Sequence, residues 1–407
     1  MKRRRFLAQT LLGAASLTAV GKNGWAWKSP AAAAADTPRL IVILLRGAAD
    51  GLNIVVPYQE ANYYESRPYI AIAQPGKSDG ALDLDGRFGL HPALQPLMAQ
   101  WEDGNLAFVH ATGLPDTTRS HFQAQEYLET GTLEADAVPN GWLNRLLGVL
   151  PQGTSTQGLN IGATMPAIFS GPQSVASIEF GKAGNRQLPI DRPQIQTAFD
   201  QLYANDARLG QIYQEGRTAR DTLMRELNQE RIEASQGAAT PGQFESSARY
   251  LAQLMTGEAA TQVAFLDIGG WDTHVNQRGV FDKQLESLGK GLTTLAEALG
   301  PIYQNTAIVV TSEFGRTVAE NGNSGSDHGY GNALWLLGGS LKGQQMYGTW
   351  PGLSEEQQHE SRDLAITTDT RDVLMSLLGQ HFSLDANALA QVFPNHQSKS
   401  KLQFLIS

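Results

Sequence analysis

The chain of 407 residues contains no cysteine. This excludes disulfide staples, thiolate metal ligands, a cysteine nucleophile and a lipid anchor on a lipobox cysteine. Stability must come from a sizeable apolar core instead. Also missing is a long hydrophobic run. The apolar stretch from Leu11 to Val20 is broken by Gly13, Ser16 and Thr18, and it falls far short of the ~20 apolar residues that a membrane span needs. No stable membrane anchor is therefore expected. Basic charge is scarce: 31 Lys and Arg face 40 Asp and Glu, for a formal charge of −9. Six of those basic residues and no acid lie in residues 1–35, so the remainder carries −15. That balance disfavours nucleic acid and anionic lipid as general partners. An anionic substrate would need a local positive site, from arginine or a metal ion.

What the N-terminus does hold is Met1-Lys2-Arg3-Arg4-Arg5-Phe6-Leu7, which resembles the twin-arginine export signature, followed by the small-residue run Ala31 to Ala35. We expect residues 1–35 to be a cleaved signal peptide read by the twin-arginine translocase, and the mature chain to be periplasmic or secreted.

Residues 36–407 read as one α/β domain. Arg39 to Leu45, Leu106 to His110, Val263 to Asp267, Thr306 to Thr311 and Ala333 to Leu337 are short continuous apolar runs separated by helical patterns. Such runs predict buried strands of a mostly parallel sheet flanked by helices. Between Phe199 and Met255, long amphipathic patterns rich in Arg, Glu and Gln predict a helical insertion. Ligands of open α/β sheets sit beyond the carboxyl ends of the strands, so the residues just after these runs are the candidates.

Five clusters fall there. Asp50 lies in Gly47-Ala48-Ala49-Asp50-Gly51. Asp116 to Phe122 offers Thr117, Thr118 and Ser120 as hydroxyls at a helix start, where N–H groups and the helix dipole favour an anion, with Arg119 beside them. Asp267 to His274 places Asp267, Asp272 and His274 within eight residues at the end of a buried strand, where unpaired charge is costly without a cation. Glu313 and Arg316 follow the fourth run, and Asp327 with His328 precedes the fifth. Carboxylate and imidazole groups suit a divalent ion such as zinc, manganese or iron. His91 and His110 are expected to be structural; His359, His381 and His396 are expected at the surface.

The segments Leu45 to Asn53, Thr117 to Gln125, Gly269 to His274, Thr311 to Thr317 and Asp327 to Gly339 resemble the uncharacterised bacterial family called domain of unknown function 1501, assigned to the alkaline phosphatase superfamily. The resemblance implies an alkaline-phosphatase-like three-layer sandwich. It also implies metal-dependent hydrolysis of a phosphate or sulfate ester, carried by a small molecule or a polysaccharide. By that resemblance Asp50, Asp267, Asp272, His274, Glu313, Asp327 and His328 hold one or two divalent ions, with zinc or manganese favoured. A hydroxyl attacks, and Arg119 or Arg316 steadies the developing charge. The helix-start argument selects Ser120, whereas the spacing in phosphopentomutase-like members selects Thr117. Phe314 stands where the superfamily places a histidine, so one ligand is lost unless Asp327 or His121 replaces it. A formylglycine sulfatase is not expected, because Ser66-Arg67-Pro68-Tyr69-Ile70 lacks the final arginine of that signature. The other reading is a non-catalytic periplasmic binding or assembly protein with a degenerate site.

Overall fold

The computed structural model describes residues 36–133, 138–151, 153, 156–162, 164–178, 241–257, 261–399 and 402–405. The expected signal peptide and residues 199–240 of the expected insertion lie outside them. Nine strands form the main sheet: β1 (Arg39–Leu45), β2 (Leu106–Gly113), β3 (Gly158–Ile161), β4 (Val175–Ile178), β5 (Val263–Ile268), β6 (Thr306–Thr311), β7 (Asn332–Leu337), β8 (Gln345–Tyr347) and β9 (Thr368–Asp369). Their order is β8-β2-β7-β6-β1-β5-β3-β4, with β9 also pairing β2. Only β7 runs antiparallel to its neighbours, pairing β2 and β6. All five expected strands are present. A separate small sheet joins Val55–Val56, Leu82–Asp83 and Gly89–Leu90.

The sheet is buried on both faces, and β1 shows how. Ile41, Ile43 and Leu45 point into one core, while Leu40, Val42 and Leu44 point into the other. A strand with two apolar faces reads as an unbroken apolar run, which is what RLIVILL is. The first core is covered by α3 (Phe244–Thr256) and α4 (Gln277–Leu299), the second by α1 (His121–Thr130), α2 (Trp142–Val149), α5 (Thr370–His381) and α6 (Ala386–Val392). Helix α3 falls inside the stretch expected as an insertion. Its Phe244, Ala248, Leu251, Ala252 and Met255 are nonetheless part of the main core, so this helix is a layer of the sandwich.

The central parallel strands β1, β5 and β6 end on the same side, because register pairs Leu45 with Ile268 and Leu44 with Thr311. The candidate segments at residues 46–50, 269–274 and 312–316 therefore converge. Strand β2 ends at Gly113, paired with Asn332 at the start of β7 through its neighbour Thr112. That pairing brings the start of α1 and the loop before β7 to the same end.

Candidate metal centre

Three imidazoles and one carboxylate meet at this end. Asp272 Oδ1 lies 3.0 Å from His274 Nε2, 3.4 Å from His328 Nε2 and 3.6 Å from His121 Nε2. His328 Nε2 is also 2.9 Å from both His121 Nε2 and His274 Nε2. The donor atoms of His121, Asp272 and His328 all lie within 4.8 Å of one another.

The far nitrogen of each ring decides its chemistry. Nδ1 of His121 sits 2.8 Å from Glu313 Oε1, Nδ1 of His274 3.0 Å from Asp327 Oδ1, and Nδ1 of His328 2.9 Å from the Arg119 carbonyl. Carbonyl and ionised carboxylate oxygens only accept, so in every case Nδ1 is the donor. Each neutral ring then presents an Nε2 lone pair to the common point. Two such lone pairs facing at 2.9 Å repel unless a cation or a proton lies between them. His121, Asp272 and His328 thus fit a divalent ion, since their separations of 2.9 to 3.6 Å are those of donors sharing an ion with bonds of ~2.0–2.2 Å, and His274 Nε2 stands at the edge of this group, 3.0 Å from Asp272 and 2.9 Å from His328. Oxygen acceptors behind ligating imidazoles are the usual means of orienting them.

The electrostatics agree. Burial works against charge on Asp272, yet His121, His274, His328 and Arg316 hold its carboxyl far below the usual carboxylate range. Burial likewise opposes charge on His121, but Asp272 and Glu313 outweigh it and push the imidazole up to about 9. Glu313, buried completely, is held down at about 2 by His121 and Gln125. His328 is lowered by burial and by the neighbouring positive charges of His121 and Arg316. Asp272 thus raises the His274 imidazole as it does His121, against the cost of burial, while His328 between them is lowered.

Of the expected ligands, Asp272, His274 and His328 come together, and Asp327 stands behind His274. His121, weighed in the sequence only as a substitute for the missing histidine, supplies the third ring. Phe314 instead packs beside the rings, with its centroid 5.0 Å from His121 and 5.2 Å from His328. Three acids expected as ligands are placed differently. Asp50 is fully buried, ion-paired with Arg67 at 2.7 Å, and accepts from Gln277 and the Leu52 N–H. Asp267 is ion-paired with buried Arg46 at 2.6 Å. Glu313 has no exposed side-chain surface and accepts from Gly47 N–H, His121, Gln125 and the Ser312 hydroxyl.

Arg316 also departs from expectation. Its guanidinium is buried and donates to the carbonyls of Ala48, Ser326 and Gly47 and to Asp272 Oδ1 at 2.6 Å. Its remaining NH1 proton faces His274 Nε2 at 3.4 Å, so the guanidinium holds the site together from within the protein. Arg119 stays at the surface, paired with Glu360 and Asp363. Among the hydroxyls, Thr118 is engaged with Gln123. Ser120 is the N-cap of α1, exposed, with no side-chain capping bond, directly before His121. Thr117 is exposed as well. Arg67, Gln125 and Gln277 were not singled out in the sequence. Only Gln125 carries a signal there, lying four residues after His121 and four before Glu129 on one helix face.

The family model described as "Protein of unknown function (DUF1501)" matches residues 37–393. No curated protein matches the chain. Among solved structures, the chain is similar to a 2-O GAG sulfatase, with 9% identity and a TM-score of 0.43 over 90% of this chain and 76% of that one. It is also similar to a protein in the alkaline phosphatase superfamily from Vibrio parahaemolyticus, at 10% identity and a TM-score of 0.40 over 85% and 66% of the two chains. A third similar structure is the C-terminal periplasmic domain of EcEptC from Escherichia coli, at 10% identity and a TM-score of 0.38 over 90% of each chain.

Proposed function

The chain belongs to the DUF1501 family of proteins of unknown function, and we propose that it is an exported, metal-dependent hydrolase of phosphate or sulfate esters. One observation carries this reading: three histidines each give their Nδ1 proton to an oxygen and turn Nε2 toward one carboxylate, Asp272. His121, His274, His328 and Asp272 would hold a divalent ion, with zinc or manganese suiting the donor set. Such an ion supplies Lewis-acid polarisation of an ester oxygen.

The chain's own residues do the rest. Asp327, Glu313 and the Arg119 carbonyl fix the rings. Arg316 offsets part of the charge on Asp272 and ties residues 47, 48 and 326 into one frame. The Ser120 hydroxyl, exposed at the start of the ten-residue α1, is our choice of nucleophile, with Thr117 the competitor. Backbone N–H groups of the first turn of α1 would receive the anionic group of the ester. The Arg3-Arg4 signature at the N-terminus supports export by the twin-arginine route. No helix among the described residues is long and apolar enough to cross a membrane.

A binding or assembly role is the second reading, favoured by the fixed ion pair between Arg316 and Asp272. Metal analysis of the purified mature protein, with a screen of aryl phosphate, phosphodiester and sulfate substrates with and without added zinc or manganese, separates the two. Stoichiometric metal and turnover of any of these esters support the enzyme. Protein that takes up no metal and is inert throughout overturns it.

A further inference from the structure

The acceptor behind His121 is itself held by a chain of buried groups. Glu313 Oε1 accepts from Gln125 Nε2 at 2.9 Å, and Gln125 Oε1 accepts from Arg46 NH1 at 2.7 Å. Arg46 is fixed in turn by two carboxylates, Asp267 at 2.6 Å and Glu129 at 2.7 Å. Glu129 also accepts from the Ile168 N–H, 39 residues further on. Arg46, Gln125 and Glu129 are all buried.

We infer that Gln125 is a positioning residue that keeps the His121 proton on Nδ1 and so leaves Nε2 free for the metal. The inference rests on the proposed function, since it assigns that Nε2 to an ion. The logic is that of donors and acceptors. Arginine has five N–H donors and no acceptor, so the Gln125 oxygen must face Arg46 and its NH₂ must face Glu313. Glu313 Oε1 then receives three donors, from Gln125, His121 and the Gly47 N–H. An oxygen with three donors directed at it acts only as an acceptor. His121 can therefore meet it only with a protonated Nδ1. With Arg46 holding its oxygen, the Gln125 amide can present only N–H to Glu313, so Oε1 stays turned to accept from His121 as well. His121, Gln125 and Glu129 occupy i, i+4 and i+8 of α1, a span of ~12 Å along one face. This explains why a helix that starts at the metal site carries a polar stripe into the buried side of the protein. Gln125 reaches the ion only through Glu313 and His121, which makes it a positioning and not a catalytic residue.

Gln125→Met keeps the volume of the side chain and removes the hydrogen bonds to Arg46 and Glu313. Isothermal titration of the full mature protein with zinc chloride should show an affinity about 10- to 100-fold weaker than wild type, the usual loss for an outer partner of a metal ligand. The cobalt-substituted variant should also show an altered visible spectrum, which a purely structural role for Gln125 would not produce. Gln125→Met affinity within twofold of wild type, with an unchanged cobalt spectrum, overturns the inference and leaves the proposed function intact. Wild-type protein that binds no zinc overturns both. If Gln125→Met does not fold, nitrogen-15 NMR of zinc-loaded wild-type protein decides: a His121 ring protonated at Nδ1 supports the inference, and one protonated at Nε2 overturns it.

Discussion

At the scale of single residues, most of the work at this centre goes into placing protons. Asp272 accepts from Arg316 and faces three imidazoles, so its removal has two separable effects. Asp272→Ala should abolish zinc binding and leave the Arg316 guanidinium buried without its carboxylate. The second effect costs ~3–5 kcal/mol in urea denaturation. His274→Ala, at the more open edge of the site where the side chain is 19% exposed, should lose zinc binding by calorimetry with stability changed by less than about 1 kcal/mol. His110 is a different case. It lies buried between Phe88 and Trp350, its Nδ1 has no partner, and burial pushes its pKa down to about 4. The unfolded chain binds that proton near pH 6.5, so the folded state loses stability as pH falls from about 6.5 toward about 4. Urea denaturation of His110→Leu should lack this component. Its stability relative to wild type should rise between pH 7 and pH 4.5 by roughly 2 kcal/mol, because the remaining carboxylates contribute equally to both proteins.

At the scale of elements, α1 and the loop between β6 and β7 bring His121 and His328 to the Asp272 and His274 that follow β5. Helix α1 delivers His121 from its first turn and ends at Gly131, which adopts a left-handed conformation (φ 66°) as a C-cap. Its N-terminal hydroxyl gives a direct test. Ser120→Ala should reduce ester turnover by several orders of magnitude without weakening zinc affinity, and Thr117→Ala should leave turnover within a few-fold. The reverse result would move the nucleophile to Thr117. In the β6–β7 loop, Gly315 packs its Cα against the Gly331 carbonyl, where no Cβ fits. Gly315 N–H donates to Tyr330 and Gly329 N–H donates back to Gly315, so this contact sets His328 against Arg316. Gly315→Ala should therefore both destabilise the fold, by ~1–3 kcal/mol, and weaken zinc binding, read by thermal unfolding and titration together.

At the scale of the whole molecule, the centre ties strand ends that are neighbours in space and distant in sequence. An ion that binds only the folded chain stabilises it by mass action, ~2.7 kcal/mol at one hundred times its dissociation constant. Thermal unfolding of the mature protein should thus shift upward by a few degrees on adding zinc and fall back on adding a chelator. The His274→Ala variant should show neither shift. The three expected surface histidines also look different at this scale. His359, His381 and His396 are half-buried, His381 bonding the Arg39 carbonyl and His396 the Asp372 carboxylate. His359 stacks on Tyr330 with ring centroids 4.2 Å apart, and in all three the partner is distant or non-periodic in sequence, so no local pattern announces the contact.

The sequence alone determined five of the nine strands and the family. Five unbroken apolar runs can only be buried on both sides, and the segments after them carry the right side chains. The four-residue strands Gly158–Ile161 and Val175–Ile178 are too short to leave such a pattern, and the reversed direction of Asn332–Leu337 leaves none, since a buried strand reads alike both ways. Which acid is left facing the imidazoles was decided by tertiary structure. Asp50, Asp267 and Asp272 look equivalent in sequence, and their fates depend on which arginine reaches each one. Arg67 is 17 residues from Asp50, Arg46 is 221 from Asp267, and Arg316 leaves Asp272 still facing three imidazoles. A carboxylate's chemistry depends on the charges within a few ångströms of it, and for this chain those neighbours are assembled only when the sheet closes its strand ends together.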